Sequence, residues 1–169
     1  MGPMLSLFIL LTLSSRQSPN PAEQTQNLPT FRQFRVAQIY RGKRARPIFK
    51  TKEELEFRTR IRQGAAKGPN FAGHYAVAEW GGGTGTGTFV LVDVESGQIF
   101  FHVDPKRGIE FYFNLDSRLM VIDGCDIPPV NGSCVRSFWE WTGTEMKLLT
   151  RFTSASAPGL PEGFKPAPP

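Results

Sequence analysis

Cysteine and histidine are scarce in this chain, and their scarcity limits the metal chemistry that it can carry. Only two cysteines, Cys125 and Cys134, and two histidines, His74 and His102, occur among its 169 residues. Structural zinc sites use four such ligands at short, regular spacings, and two cysteines nine positions apart match none of those spacings. We therefore expect no metal site, and no motif in the chain predicts a cofactor.

The two cysteines lie in the segment GCDIPPVNGSC, which is rich in turn-forming residues. In an oxidising compartment such a pair most simply forms one disulfide that closes a short loop. We predict a bond between Cys125 and Cys134 that stabilises the fold by about 2 to 3 kcal/mol.

Long apolar runs are also lacking. The apolar run from Leu5 to Leu13 is shorter than the roughly 20 residues that a membrane-spanning helix needs. Small residues follow it, which is typical of a secretory signal peptide, although no Lys or Arg precedes the run. We predict a signal peptide over residues 1–15, a secreted or periplasmic location, and no membrane span in the mature chain.

Polar and proline-rich stretches border the body of the chain. RQSPNPAEQTQNLPT follows the predicted signal peptide, and SASAPGLPEGFKPAPP ends the sequence. Both stretches have few of the apolar side chains whose burial offsets the entropy cost of ordering. We predict a flexible linker over 16–30, one β-rich domain over 31–152, and a disordered proline-rich tail over 153–169.

A helix is predicted to begin after Thr51. Thr51 and Glu54 have the spacing of a capping box, and acidic residues in the first turn suit the positive end of the helix dipole. Gly64 is a candidate for the helix end. An apolar stripe at helical spacing is expected to face the core. Its residues are Phe57 and Ile61, with Leu55 beside them.

The rest of the domain alternates apolar and polar residues with the period of β-strands. The candidate strands are FRVAQIY, HYAVAEW, TFVLVDV, QIFFHV, IEFYF, RLMVI, VRSFWEW and EMKLLTR. Short turns join most of them, which permits only antiparallel neighbours. We predict a mainly β (α+β) fold: an antiparallel meander or sandwich of two blade-like hairpin units, with one N-terminal amphipathic helix.

A run of glycine and threonine, GGGTGTGT at 81–88, separates two of these strands. A phosphate cradle needs a helix start or a lysine to complete the anion site, whereas a strand follows here. The run matches neither the dinucleotide-binding nor the P-loop pattern. We predict a hairpin turn without nucleotide binding.

The segment GPNFAGHYAVAEWGGGTGTGTFVLVDVESGQIF, with LDSRLMVI and FWEWTG further on, resembles an uncharacterised family of small secreted bacterial proteins. That family is marked by NFAGHY and a following WGCGTGC, and the resemblance covers roughly residues 50–150. It implies secretion and a similar fold, and it implies no established activity. Gly82 and Thr86 stand where the family has two loop cysteines, so a second disulfide at this hairpin is absent.

His74 is the main candidate for chemistry, as a base or ligand with Asn70 and Tyr75 as positioning groups. The alternative, which we favour, is that Asn70 and His74 fasten a loop to the sheet, because no motif marks a nucleophile nearby. Glu79 is five residues further along the same strand and is expected on the opposite face, which disfavours a His74–Glu79 dyad.

Other polar and aromatic residues fit structural roles. Asp116 and Arg118 lie in the turn NLDSR, where Asp commonly caps its own backbone and Arg pairs with a nearby carboxylate. Trp139 and Trp141 share one face of a strand. They belong either to the core, which we favour, or to an exposed platform for a sugar or protein.

The net charge is +5, and residues 41–67 contain ten Lys or Arg against three Glu. Such a segment is most simply a solvated helix face with its lead-in, although it can also bind anionic polymers or lipids.

Because the sequence shows no catalytic constellation, we predict a non-catalytic binding protein. Its expected partner is an envelope or extracellular protein or glycan, and nucleic acid is disfavoured. The alternatives are a small envelope hydrolase using His74 and an electrostatic binder using 41–67. The binding candidates are Asn70, His74, Tyr75, Trp80, Thr84, Arg41 and Arg44.

Overall fold

A computed structural model describes residues 28–81, 87–102, 106–126, 134–153 and 157–164. The predicted signal peptide, most of the predicted linker, Thr84 and the sites of the replaced cysteines lie outside these ranges. Within them, two short helices precede seven strands. The elements are α1 (Lys52–Glu56), α2 (Arg58–Ala66), β1 (Tyr75–Gly81), β2 (Gly87–Asp93), β3 (Ile99–His102), β4 (Lys106–Phe113), β5 (Leu119–Asp126), β6 (Cys134–Trp141) and β7 (Met146–Thr153).

The strands form two antiparallel sheets in sequence order. The first sheet has the order β1-β2-β3 and the second has the order β4-β5-β6-β7. β1 and β2 pair antiparallel with Gly81 opposite Gly87, so the predicted hairpin pairing is confirmed, while residues 82–86 of the glycine run lie outside the described ranges. The mainly β fold and its two hairpin units are also confirmed, because each predicted unit corresponds to one sheet.

The two sheets pack against each other through one apolar cluster, and each sheet also buries its outer face. Alternation along the strands divides their side chains between these layers. Between the sheets lie Tyr75, Val77, Phe89, Leu91, Met120, Ile122 and Trp141. The outer face of the first sheet packs on α2 through Ile61, Ala65, Ala76, Ala78, Val90 and Val92. The outer face of the second sheet packs on both ends of the described chain through Phe31, Leu119, Val121, Phe138 and Phe164.

The helical region begins as predicted and then departs from the prediction. Thr51 and Glu54 form the capping box. The Glu54 carboxylate accepts hydrogen bonds from the Thr51 and Lys50 N–H groups and is buried. The buried stripe therefore runs through Glu54, Phe57 and Ile61, and it leaves Leu55 48% exposed rather than at the core. The expected single helix is divided at Phe57, where φ is −93° and ψ is 12°.

The predicted N-terminal strand FRVAQIY is wrong. The segment forms an isolated bridge between Arg35 and Ser117 and is otherwise irregular. Its backbone N–H groups bond to loop carbonyls, from Val36 to Asp116 at 3.0 Å and from Tyr40 to Gly73 at 3.0 Å. Because these partners lie in loops rather than along a strand of either sheet, the segment forms no ladder.

The predicted domain boundaries are too narrow at both ends. Leu28 packs on the outer cluster of the second sheet. At the C-terminal end, the ring of Phe164 lies 5.9 Å from that of Phe31 and 5.4 Å from that of Tyr112. The Asn114 side-chain amide donates to the Gly163 carbonyl at 2.7 Å. Residues 28–30 and 157–164 therefore belong to the folded domain rather than to a linker and a disordered tail.

The disulfide and the packing of the tryptophans agree with the predictions. Cys125 and Cys134 are bonded and pair directly across β5 and β6. Trp141 is 2% exposed, and Trp139 packs on the same cluster between the sheets. Trp141 is therefore a core residue, and Trp139 is half-buried at the border of the same cluster.

Candidate functional site

A cleft of about 990 Å³ opens between α2, β1 and the turn that follows β4. We call it the α2–β1 cleft. Its helix wall consists of Arg60, Gln63, Gly64 and Lys67, and its opposite wall of Phe113, Asn114, Leu115 and Asp116. Ile39, Pro69, Asn70, Val77, Ala78 and Glu79 complete the lining.

The helix wall is set by a close contact at Gly64. A Cβ at this position would overlap the Ala78 side chain, so only glycine lets α2 approach β1 this closely. Gly64 was predicted as the helix end, but α2 continues to Ala66. The glycine serves the packing of helix on strand, which sequence periodicity alone does not show.

The NFAGHY segment holds the end of β1 and the opposite wall together. Asn70 Oδ1 accepts the Val77 N–H at 2.8 Å, so this side chain has the structural role that we favoured. The next turn is tight, with φ of 45° at Ala72 and 85° at Gly73. Gly73 N–H donates to the Leu115 carbonyl at 2.7 Å, which links this turn to the turn after β4. The motif therefore shapes the cleft through its backbone as well as its side chains.

Charged groups of both signs surround the cleft. Arg60 on α2 and Lys67 directly after its end lie seven residues apart and are both exposed. Glu79 lies on the strand side, and Asp116 Oδ2 is 3.6 Å from Arg35 Nη2. Loss of hydration raises the pKa of the Glu79 carboxyl, and the positive charge of Lys67 opposes this shift. A ligand here meets apolar side chains beside cationic groups on the helix wall and the carboxylates of Glu79 and Asp116.

His74 lies outside the cleft lining, and the Asp93 carboxylate lies beside it. Its Nε2 is 3.9 Å from Asp93 Oδ1, beyond hydrogen-bonding distance. Asp93 is engaged in its own turn, where its carboxylate accepts from Glu95 N–H at 2.9 Å and from Ser96 Oγ at 2.6 Å. The structure does not bring His74 and Glu79 together, in agreement with the strand geometry.

The aromatic binding candidates are packing residues. Tyr75 is 6% exposed, and burial raises the pKa of its phenol. Trp80 stacks on Phe57 of the helical region, with ring centroids 5.1 Å apart. Both side chains stabilise layers of the domain, and neither lines the cleft.

A second cavity of about 520 Å³ lies on the other side of α2, beside residues 44–47. We call it the arginine groove; Arg44, Arg46 and Arg62 line it, and no acidic residue is among its lining residues. Arg44 Nη1 donates to the Ala66 carbonyl at 2.7 Å and so caps the end of α2. Arg41 is exposed and does not contribute to the lining.

Of the two turn residues, Arg118 pairs with a carboxylate as predicted, whereas the contacts described for Asp116 are made to the segment 35–36. Arg118 Nη1 donates to Glu140 Oε1 at 2.7 Å, which pairs it with a carboxylate on β6. Asp116 accepts the Val36 N–H at its backbone carbonyl. Arg118 thus links the turn after β4 to β6, and Asp116 links it to the N-terminal segment at Val36.

Sequence reasoning missed most of the α2–β1 cleft. Arg60, Gln63 and Lys67 were treated as part of one basic segment, although their spacing of three, four and seven places them on one side of a helix. That spacing was the available signal. The opposite wall comes from a turn about fifty residues later, and nothing in the sequence pairs it with α2.

Comparisons of the chain with protein-family models, curated proteins and solved structures gave no significant match. The resemblance to the NFAGHY family therefore stays a prediction.

Neither helix in the described ranges has the length and apolar character to cross a membrane. Across the same ranges, no three His, Cys, Asp or Glu residues lie close enough to hold a metal ion.

Proposed function

We propose that this protein is a non-catalytic binding protein and that the α2–β1 cleft holds its ligand. The observation that carries the proposal is a cleft of about 990 Å³ lined by apolar side chains and by charged groups of both signs. Ligand sites commonly have volumes of about 300 to 1,000 Å³ and combine apolar lining with a few polar groups. The cleft has both properties.

The positions of the candidate catalytic groups support binding over hydrolysis. A general base has to reach the proton that it removes, and a nucleophile has to lie beside that base. His74 is 33% exposed, does not line the cleft and lies 3.9 Å from the Asp93 carboxylate. We therefore assign His74 and Asp93 to the β1–β2 region as structural residues.

The proposal includes a location outside the cytoplasm. The apolar run at residues 5–13 fits a signal peptide, and the disulfide between Cys125 and Cys134 fits an oxidising compartment. The expected partner is an envelope or extracellular protein or glycan.

Binding to the cleft is testable with 8-anilinonaphthalene-1-sulfonate, a probe with an apolar body and one anionic group. Its addition to isotope-labelled protein should shift the NMR signals of Gln63, Gly64 and Glu79. Gln63→Trp should fill the cleft and weaken binding at least about fivefold. Thr59→Trp is the matched control, because Thr59 is exposed on the same helix and does not line the cleft. Signal shifts confined to other surfaces would refute the proposal.

The arginine groove favours a second candidate function, the binding of an anionic polymer. Three guanidinium groups line one cavity without an acidic neighbour among the lining residues. Binding of dextran sulfate should weaken steeply with added salt, because neutralised sulfates release counterions. The double variant Arg46→Ser, Arg62→Ser should reduce the slope of log K against log salt concentration by about two. Arg58→Ser, which lies outside the groove, should leave that slope nearly unchanged. A slope that stays the same in the double variant would exclude this function.

A further inference from the structure

The strand β1 lies at the edge of the first sheet, because β2 is its only partner strand in the described order β1-β2-β3. Backbone groups along a strand point alternately to its two sides. His74 C=O bonds to Val94 N–H on the β2 side, whereas Val77 N–H bonds outward to Asn70. The odd-numbered residues of β1 therefore direct their backbone groups away from β2.

Part of this outward edge has no protein partner among the described residues. Asn70 and Phe71 satisfy the Tyr75 backbone, and Asn70 Oδ1 satisfies the Val77 N–H. Beyond that point, the Val77 carbonyl and the N–H and carbonyl of Glu79 make no hydrogen bond within the described ranges. These three groups have the spacing that an added strand requires.

The free edge coincides with the α2–β1 cleft. Val77, Ala78 and Glu79 line the cleft, with α2 on one side of them and the turn after β4 on the other. A strand edge beside a helix is an arrangement in which extended peptides bind, because the main chain supplies hydrogen bonds and the flanking walls contact alternate side chains.

We infer that the α2–β1 cleft binds an extended peptide segment of a partner protein, which adds to the free edge of β1 as a strand. The inference rests on the proposed function and specifies the class of its ligand. The site is short, because Asn70 closes it at one end and β1 ends at Gly81.

The walls determine which side chains the peptide should carry. Side chains that point to the helix wall meet Arg60 and Lys67, which favour acidic residues. Side chains that point to the opposite wall meet Phe113 and Leu115, which favour apolar residues, and Asp116, which disfavours acidic ones. The added strand should therefore alternate acidic and apolar residues.

The test uses the full chain and an acetylated, amidated peptide of seven residues that alternates valine and glutamate. Two further peptides carry N-methyl groups, one on all valines and the other on all glutamates. In a strand, one of these two sets of N–H groups faces the protein and the other faces solvent. Strand addition therefore predicts that one methylated peptide binds at least about tenfold more weakly and the other nearly normally.

A protein variant gives a second, independent readout. Glu79→Pro removes the outward N–H, and proline is tolerated at sheet edges where that N–H faces solvent. It should weaken binding of the unmethylated peptide at least about fivefold relative to Glu79→Ala, which keeps the N–H. The comparison of the methylated peptides uses the unsubstituted protein, so it remains valid even if Glu79→Pro does not fold.

Equal affinity of all three peptides, or no binding of any, overturns strand addition. In either case the sulfonate probe still reports whether the cleft binds ligands at all, so the two proposals fail separately. A concentration-dependent dimer that the peptide does not dissociate also overturns the inference, because a second copy then occupies the edge.

Discussion

Gly64 of α2 lies against Ala78 of β1 at a distance that leaves no room for a side chain on the glycine. The contact fixes the separation between the helix and the first sheet. Because Gly64 also lines the α2–β1 cleft, the same contact fixes the position of the helix wall. Stability and the shape of the candidate site therefore depend on one residue.

We expect Gly64→Ala to destabilise the domain. The added methyl group forces α2 away from β1, and such overpacking costs about 1 to 3 kcal/mol. The loss should exceed the gain of about 1 kcal/mol from the higher helix propensity of alanine. The free energy of unfolding, measured by urea titration, reports the net effect.

Gly159→Ala is the control for this experiment, because nothing lies within 4 Å of a Cβ at that position. It should leave the free energy of unfolding within about 0.5 kcal/mol of the unsubstituted protein. A stable Gly64→Ala protein with an unchanged probe affinity would show that α2 does not rest on β1 as described.

Much of the sheet architecture follows from local sequence. Residues 75–78 and 89–92 are apolar and bury both faces of the first sheet, and the turn after Asp93 is too short for anything except a hairpin. These signals lie within a few residues of each other, so they do not depend on the rest of the fold. The strand order could therefore be predicted.

Features that depend on distant partners could not be predicted. Phe34–Tyr40 alternates like a strand, yet its hydrogen-bond partners are loop carbonyls far along the chain. Phe164 and the hydrogen bonds to the Gly163 and Pro158 carbonyls hold a proline-rich segment that composition assigned to a disordered tail. Likewise, Arg60 and Arg62 are neighbours in one basic segment, but α2 directs them to different cavities.

The pair Arg136 and Asp123 should contribute strongly to stability. Arg136 Nε lies 2.8 Å from Asp123 Oδ1, and Nη2 lies 2.5 Å from Oδ2. The pair bridges β5 and β6, and Arg136 Nη1 also donates to the Pro158 carbonyl at 2.5 Å. The hydrogen bonds that Arg136 donates to the Asp123 carboxylate raise the pKa of Arg136, so the guanidinium stays charged.

Arg136→Ala should lower the free energy of unfolding by about 2 to 3 kcal/mol, because it leaves a partly buried carboxylate without its partner. Arg151→Ala is the matched control: Arg151 is exposed on the neighbouring strand β7. The thermal unfolding midpoints of the two variants, monitored by circular dichroism, give the comparison. Similar midpoints for both variants would contradict a special role for Arg136.

The Tyr112 phenol should ionise at an unusually high pH. Its hydroxyl donates to Glu110 Oε2 at 2.5 Å, and this bond, assisted by burial, raises the pKa to about 12 from an ordinary 10.0. A raised pKa means that the folded state keeps the proton while the unfolded state loses it. The stabilisation from this group is therefore complete below pH 10 and is lost as the pH rises toward 12.

Phenolate absorbance in the near ultraviolet measures this titration. Tyr112→Phe identifies the Tyr112 component and should make the loss of stability above pH 10 shallower. Glu110→Gln should bring the pKa of Tyr112 down toward its ordinary value, since the negative charge beside the hydroxyl is removed. A Tyr112 component that ionises near pH 10 in the unsubstituted protein would show that the bond to Glu110 does not persist in solution.

The pKa of Glu79 should depend on Lys67, which also lines the α2–β1 cleft. Loss of hydration raises the pKa of Glu79 above 4.5, and Lys67 limits that rise. Since the raised pKa favours the protonated carboxyl in the folded state, stability falls as the pH rises through the pKa of Glu79. Glu79→Gln should remove that fall and be more stable than the unsubstituted protein at pH 7, with the difference closing below pH 4.5.

Lys67→Met should raise the pKa of Glu79 further, because it removes the positive charge that favours the carboxylate. NMR titration of the Glu79 carboxyl carbon measures the shift directly. Lys147→Met on β7, outside the cleft lining, should leave this titration unchanged. If both lysine variants gave the same Glu79 curve, Lys67 would not face the cleft in solution, and the cationic wall proposed for an acidic peptide would reduce to Arg60.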